Sequence, residues 1–434
     1  MKKNFKLVKY FLIFIIIVIS LIALMILSAK IPKKMIENNV IESAEYFNEK
    51  ELFYEMIDNH NETKIDHYAD SITLNITYNI ESKNSFRSVL KSNYYGNNKK
   101  SEIDNLLKTS TNNTKYKATT EYIRYWHGTV PILRVLLIFF NIKQIYILNA
   151  ILLSLLISYL IYKLIKNKLY LFLIGFIISL ILTNSFVVPF CLEYSNMYFV
   201  TLIGTIILLN LLEKKKDNLI FILFFILGII TCFIDFLTTE TMSLLVPLIL
   251  LLVYKYKDEK NINIKEIALL TFKTIIVWLI GYVIMWITKW GISLLVLNID
   301  LKEVVLKSVE ERLGAAKVLE IGTYTKSVVL RNVFCLFPLC YINNKLLILL
   351  LFLFILYTFL FFVRKNKNTL SWLLFLIALI PYIRFIVVNN HSYLHYFFTY
   401  RAQISSIIAI VLGSYYMIDK NIFEDIKKCL KKKK

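Results

Sequence analysis

Residues 11–27, FLIFIIIVISLIALMIL, contain no charged side chain, and runs of the same kind recur along the whole sequence, separated by short lysine-rich segments. Runs of this length match the thickness of a bilayer, where about 30 Å of hydrocarbon must be crossed. With 57% hydrophobic residues and a mean hydropathy of +0.60, a soluble fold is excluded. The expected class is an all-α polytopic membrane protein with about ten transmembrane helices and a large mixed extracytoplasmic first loop. The first run follows Lys2, Lys3, Lys6 and Lys9 as a signal peptide would. It is longer than a usual secretory core, and Leu27-Ser28-Ala29 is a poor cleavage site, so an uncleaved first span is expected.

Charge sets the orientation. Further spans are expected at 144–162, 169–187, 195–212, 219–236, 241–254, 270–290, 346–363, 370–388 and 402–418. Lysine and arginine then cluster at alternate ends, at Lys163, Lys166 and Lys168, at Lys214 to Lys216, at Lys255, Lys257 and Lys260, at Arg364, Lys365 and Lys367, and at Lys431 to Lys434. The turns near 188–194, 237–240 and 389–400 carry none. This alternation places both termini in the cytoplasm of a multi-pass cell-membrane protein. The net charge of +21 therefore reads as a topology signal, and nucleic acid is not an expected partner.

Four divisions follow. Residues 1–29 are the cytoplasmic N-terminus and first span, 30–143 an extracytoplasmic domain, 144–418 a nine-helix membrane domain, and 419–434 a basic cytoplasmic tail. Within the second, PILRVLLIFF (131–140) is too short to cross and carries Arg134, so an interfacial helix is expected. Within the third, 297–344 forms another outward loop, and Leu301, Val304, Val305, Val309 and Leu313 have the spacing of an amphipathic helix. No CxxC pair or metal-ligand spacing occurs among the five cysteines, and Cys335 and Cys340 read as packing residues.

All five histidines fall on the outward side, with the polar clusters that need an explanation. These are Asp66 and Asp70 in IDHYAD, Arg124, Trp126 and His127 in EYIRYWHG, Glu193, Asp235 and Glu240 in DFLTTE, and His391, His395 and Arg401 in NNHSYLHYFFTYR. Acids at the end of a very apolar span are costly unless they meet water, a cation or a partner. Interfacial Tyr122, Tyr125, Trp126, Tyr393 and Tyr396 also fit an aromatic belt, and two acids four residues apart in a loop are commonly just solvated. No DxD, HExxH, Walker A, GxSxG or GxGxxG motif occurs, which argues against soluble nucleotide chemistry.

One span, a large outward loop with acids, and then many spans with polar ends outward: this layout resembles the GT-C superfamily of membrane glycosyltransferases. The resemblance is architectural and covers the whole chain. It implies a sugar donor linked to polyprenyl phosphate, an extracytoplasmic acceptor, and an acid in the first outer loop as base, sometimes assisted by a divalent metal ion. Carried to this sequence, it implies Asp70, then Asp66, as base, with Glu42 and Glu45 as rivals, and Glu240 as a further catalytic acid. Arg124, Trp126, His127, Asp235, His391, His395 and Arg401 become the substrate-binding set, with Arg384 a further cation for the lipid phosphate. A polytopic transporter or flippase is the alternative, against which stands the scarcity of mid-span charges; Lys273 and Lys289 lie toward the ends of their span. Oligomeric state is left open.

Overall fold

The computed structural model describes residues 2–257, 263–300, 321–342, 352–358 and 368–418, with 302, 306 and 350 as isolated positions. It is 76% helical. The helices are α1 (Lys2–Ala29), α2 (Lys33–Asn48), α3 (His67–Asn79), α4 (Ser85–Lys91), α5 (Glu102–Thr111), α6 (Val130–Leu136), α7 (Ile142–Lys166), α8 (Tyr170–Leu182) and α9 (Leu192–Glu213). They continue with α10 (Ile220–Ile234), α11 (Met242–Tyr256), α12 (Ile264–Leu297), α13 (Ile321–Val333), α14 (Thr369–Ala378), α15 (Ile380–Val387), α16 (Asn389–Leu394), α17 (Tyr396–Thr399) and α18 (Gln403–Met417). The only sheet among the described residues pairs β1 (Phe53–Glu55) with β2 (Lys64–Asp66), antiparallel.

Among the described residues seven helical segments are long and apolar enough to cross a membrane: Val8–Ala29, Ile142–Lys166, Leu192–Glu213, Asp217–Ile234, Ile264–Leu297, Thr369–Val387 and Tyr396–Met417. Each coincides with an apolar run of the sequence. Two more runs give shorter helices, Tyr170–Leu182 and Met242–Tyr256. The 169–187 run is thus cut short, because the chain turns at Asn184 into a 3-10 helix, Ser185–Phe190, that contains Pro189. The run at 346–363 and the amphipathic stretch at 301–313 fall largely outside the described residues.

Burial explains the short and the long helices alike. Every residue of α11 from Met242 to Val253 is buried, so this helix is enclosed by protein on all sides and needs no lipid-facing length. By contrast the described side chains of α1 bury a stripe at Phe14, Val18, Met25, Ser28 and Ala29, whose apolar members pack against Phe225 and Ile229 of α10 and Met285 of α12, while Phe11, Ile16, Ile19 and Leu27 stay exposed. α10 and α12 pack closely through reciprocal glycines. A Cβ on Gly281 would overlap the Phe225 carbonyl oxygen, and one on Gly228 would overlap that of Trp278. The lysine-rich ends of α7, α9 and α11 share one end of the bundle with the start of α10, where Lys163 pairs with Glu213 and Lys255 with Asp217.

At the opposite end, α2 to α6 form a packed unit. Ile36, Val40, Ala44 and Phe47 recur at helical spacing on α2 and meet Leu74 and Tyr78 of α3, Ile103 and Leu106 of α5, and Ile142 and Ile145 at the start of α7. α6 is separate from α7. The chain breaks at Asn141, whose side chain accepts from the Gln144 N–H in a capping box. Arg134 on α6 turns into the domain, where it donates to the Ile31 carbonyl at 2.8 Å and to that of Thr77, and leaves Ile132, Val135 and Phe139 exposed.

Candidate functional site

A cavity of about 460 Å³ lies where this helical domain meets the ends of α9, α10 and the α16–α17 turn. The β hairpin supplies its first wall by pairing Phe53 with Asp66 in register, and both side chains line the cavity. Asp66 ends β2 and caps α3, accepting the Ala69 N–H at 2.9 Å. Tyr68 follows on α3 and stacks on Phe53, ring centres 6.1 Å apart and planes 17° apart. Glu193 enters from the first turn of α9, Phe236 from the end of α10, and Asn390, His391, Leu394, His395 and Phe398 from α16 and α17.

The remaining wall is the 121–128 segment. Tyr122 donates its N–H to the Lys91 carbonyl, and Gly128 donates to the Phe233 carbonyl at 2.9 Å, an approach so close that a Cβ there would overlap Phe233. Between them His127 adopts a left-handed backbone, φ 55°, a conformation costly for non-glycine residues and concentrated at functional sites. Its ring Nε2 lies 3.0 Å from the Tyr122 carbonyl, so Nε2 must carry the hydrogen and Nδ1 the lone pair. Burial, with the charge of Lys289 adding, lowers its pKa to about 3.

The two loop aspartates have exchanged the places expected of them, and neither is solvated. Asp66 lines the cavity; Asp70 does not. Asp70 is fully buried, its Oδ2 accepting from the Tyr146 hydroxyl at 2.6 Å and from the Leu192 N–H at 3.0 Å, so it ties α3 to α7 and to the N-terminus of α9. Burial raises the Asp66 pKa to about 7, opposed by the Ala69 N–H bond and reinforced by the Asp70 charge. Asp70 is raised by burial to about 6, against the pull of its hydrogen bonds. The rivals Glu42 and Glu45 are exposed and outside the cavity, and Glu42 accepts from Asn141.

Other expected residues hold the cavity's frame without lining it. Glu240 forms a two-point ion pair with Arg384, Nε to Oε1 at 2.8 Å and Nη2 to Oε2 at 3.2 Å. Asp235 accepts from the Thr238 N–H and hydroxyl. Trp126 is buried against Phe233 and donates to the Met285 carbonyl at 2.9 Å; no sugar face can reach it. Arg401 is buried, donating to the Phe397 and Glu62 carbonyls and lying over the rings of Tyr194 and Tyr400. Arg124 stands beside the cavity, 5.6 Å from the ring centres of Tyr122 and Tyr125. Arg331, which sequence reading did not single out, lies over Tyr393 and Tyr396 at 4.5 and 3.9 Å. Glu193, one of the outward polar residues that stood out in the sequence but not part of the expected catalytic or substrate-binding set, is a wall residue placed by the first turn of α9.

Next to the cavity, an apolar groove of about 550 Å³ runs between α7, α9 and α10. Leu192 lines the groove and its neighbour Glu193 the cavity; Thr129 and Ile234 line the groove where His127 and Phe236 line the cavity. The two spaces therefore adjoin at the same helix ends. Among the described residues no group of three or more His, Cys, Asp or Glu side chains is placed to hold a metal ion, so the metal that accompanies some members of the resembled family finds no ligand set there. Fold and cavity define a helical protein of the lipid bilayer with a polar cavity at one end of its helix bundle. Comparison with family models, with curated proteins and with solved structures finds no match.

Proposed function

We propose that the chain is a multi-pass membrane glycosyltransferase of the GT-C kind, transferring a sugar from a polyprenyl-phosphate carrier to an extracytoplasmic acceptor. The observation that carries this reading is the junction of an acid- and aromatic-lined cavity with an apolar groove between membrane-length helices. A polyprenyl tail needs the second, and its sugar headgroup the first. The bundle's polarity supports a topology of about ten spans with both termini cytoplasmic, since among the described residues the lysine-rich ends of α7, α9 and α11 gather at the end opposite the cavity.

Asp66 takes the role of base. Its carboxylate removes the proton of an acceptor hydroxyl as that oxygen forms its bond to the anomeric carbon. The bond from that carbon to the phosphate oxygen breaks, and the electron pair leaves on the lipid phosphate. A base poised near neutral pH suits this task. Arg124, over the ring of the wall residue Tyr122, is a candidate cation for the departing phosphate. Tyr68 stacked on Phe53 offers a platform for a sugar face.

The test is transfer of radiolabelled sugar from a polyprenyl-phosphate donor in proteoliposomes holding the full chain. Asp66→Asn is expected to cut the rate by about 10²- to 10⁴-fold, as loss of a general base does. Ile203→Trp, which fills the groove, is expected to raise the KM for the lipid donor. Movement of the lipid-linked sugar between leaflets without transfer would favour a flippase instead.

A further inference from the structure

We propose that the lysine-rich end of the bundle holds an ethanolamine-type phospholipid, its phosphate on Lys273 and its ammonium on Glu266. A cavity of about 440 Å³ lies there between the start of α10, the end of α11 and the first turns of α12, and Phe221, Tyr256, Glu266, Leu270 and Lys273 line it. Glu266, Leu269, Leu270 and Lys273 stand at i, i+3, i+4 and i+7 on α12, so one helix face presents an acid, two leucines and a lysine to the same space. This end is opposite the one that carries Asp66, and the inference does not rest on sugar transfer.

The first observation is the depth of Lys273. α12 has reached the α2–α6 domain by Lys289 and Trp290, which donate to the Leu90 and Arg124 carbonyls at 2.7 and 3.4 Å. Lys273 stands about 24 Å back along the helix, within a hydrocarbon layer of about 30 Å. Its neighbours Leu269, Phe272 and Ile276 are exposed, as lipid-facing side chains are. Among the described residues Lys273 makes no hydrogen bond or ion pair, whereas the other lysine on the cavity wall, Lys255, is held by Asp217 at 2.7 Å. An ammonium at that depth is costly unless it reaches an anion or water. Helix side chains tilt toward the N-terminus, here the lysine-rich end, so the Lys273 stem leads toward the level of the lipid phosphates.

The second observation is the acid. Glu266 lies about 10 Å nearer that end than Lys273. Its Oε1 accepts the Tyr256 hydroxyl at 3.4 Å, and its Oε2 takes no hydrogen bond or ion pair among the described residues. A purely anionic headgroup meets like charge at Glu266, while a zwitterion matches both groups. The order also fits, because the phosphate of an ethanolamine phospholipid is bonded next to the glycerol and its ammonium stands two carbons farther out. That ammonium brings three N–H donors for a carboxylate, and the quaternary nitrogen of choline brings none. Leu269 and Leu270, between the two charges, border the acyl chains.

The test is native mass spectrometry of the full chain, delipidated in detergent and offered phosphatidylethanolamine, phosphatidylcholine or phosphatidylglycerol with matched acyl chains. Phosphatidylethanolamine is expected to bind at least ~10-fold tighter than either of the others, the scale of a charge-assisted hydrogen bond. Lys273→Met should weaken all three, and Glu266→Gln should remove the preference among them. Both side chains are exposed, so neither substitution should disturb folding. Glycerophosphoethanolamine, the same headgroup without chains, is expected to bind at least ~10-fold more weakly than the lipid, since it leaves the leucines uncovered. Equal binding of the three lipids, or tightest binding of phosphatidylglycerol, would overturn the proposal without any variant. So would a preference that survives Glu266→Gln, phosphatidylethanolamine binding unchanged by Lys273→Met, or glycerophosphoethanolamine binding as tightly as the lipid, which would make this a site for a soluble ligand.

Discussion

The Asp70 carboxylate accepts a 2.6 Å hydrogen bond from the Tyr146 hydroxyl, joining a helix of the domain above the bundle to a membrane-length helix. Because the same carboxylate also takes the Leu192 N–H, it caps α9 from another element, where the helix dipole favours an anion. Asp70→Asn puts an amide donor against these donors and is expected to cost about 1–3 kcal/mol of stability, and Tyr146→Phe about 1 kcal/mol. Thermal unfolding in detergent checks both. A wild-type midpoint for Asp70→Asn would mean that the carboxylate is not enclosed.

The pH dependence follows from Asp66. An acid whose folded pKa is raised binds more protons folded than unfolded between its ordinary value of 3.8 and about 7, so its contribution to stability falls as pH rises through that window. Under the proposed sugar transfer, activity runs the other way, because a base must be deprotonated. The groups acting on it are Asp70 and the Ala69 and Tyr68 N–H bonds. The rate of sugar transfer is expected to rise with pH to a plateau above about 7. A limb near the ordinary carboxylate value would remove Asp66 as the titrating base.

The exchange of Asp66 and Asp70 shows where sequence reasoning reached and where it stopped. Apolar runs and lysine clusters located the helices because hydrocarbon thickness and charge bias act on any sequence alike. Two acids four residues apart share a helix face only if both are helical. Asp66 is not; as the cap of α3 it has φ −88° and ψ 76°, which turns its side chain into the cavity while Asp70 points to α7. Nor could composition tell that Trp126 and Arg401 are buried anchors, since an aromatic or an arginine at a helix end fits a belt, a clamp or a ligand site equally well. Glu193 was visible only as an acid starting an apolar helix, and its cavity is made by segments distant in sequence.

Close packing of α10 on α12 makes its glycines exacting. Gly281→Val is expected to cost about 1–3 kcal/mol, since its branches meet the Phe225 backbone, which cannot yield as a flexible side chain would. Gly291→Ala, on the same helix, meets nothing within 4 Å and should leave the unfolding midpoint unchanged. Equal midpoints for both variants would show that the two helices do not pack as described.

Glu240 and Arg384 test whether stability and site geometry can be separated. Both side chains are buried, and Arg384 also donates to the Ser392 hydroxyl at 2.9 Å and to the carbonyl of Leu237, a residue held at φ 67°. The pair thus fastens the turn after α10, which carries Phe236, to α16, which carries His391. Removing one partner leaves a buried charge uncompensated, so Glu240→Gln and Arg384→Met should each cost about 3–5 kcal/mol. Removing both charges with apolar residues of similar volume, Glu240→Leu with Arg384→Met, is often close to neutral, so the double variant should unfold nearer to wild type than either single one. It should still lose ligand binding in the cavity, because Ser392 no longer has the guanidinium that orients the histidine turn. Thermal unfolding and ligand titration on the same four proteins decide the matter. A double variant that binds as the wild type does would show that the ion pair supports the fold alone and leaves the position of His391 to the packing of α16.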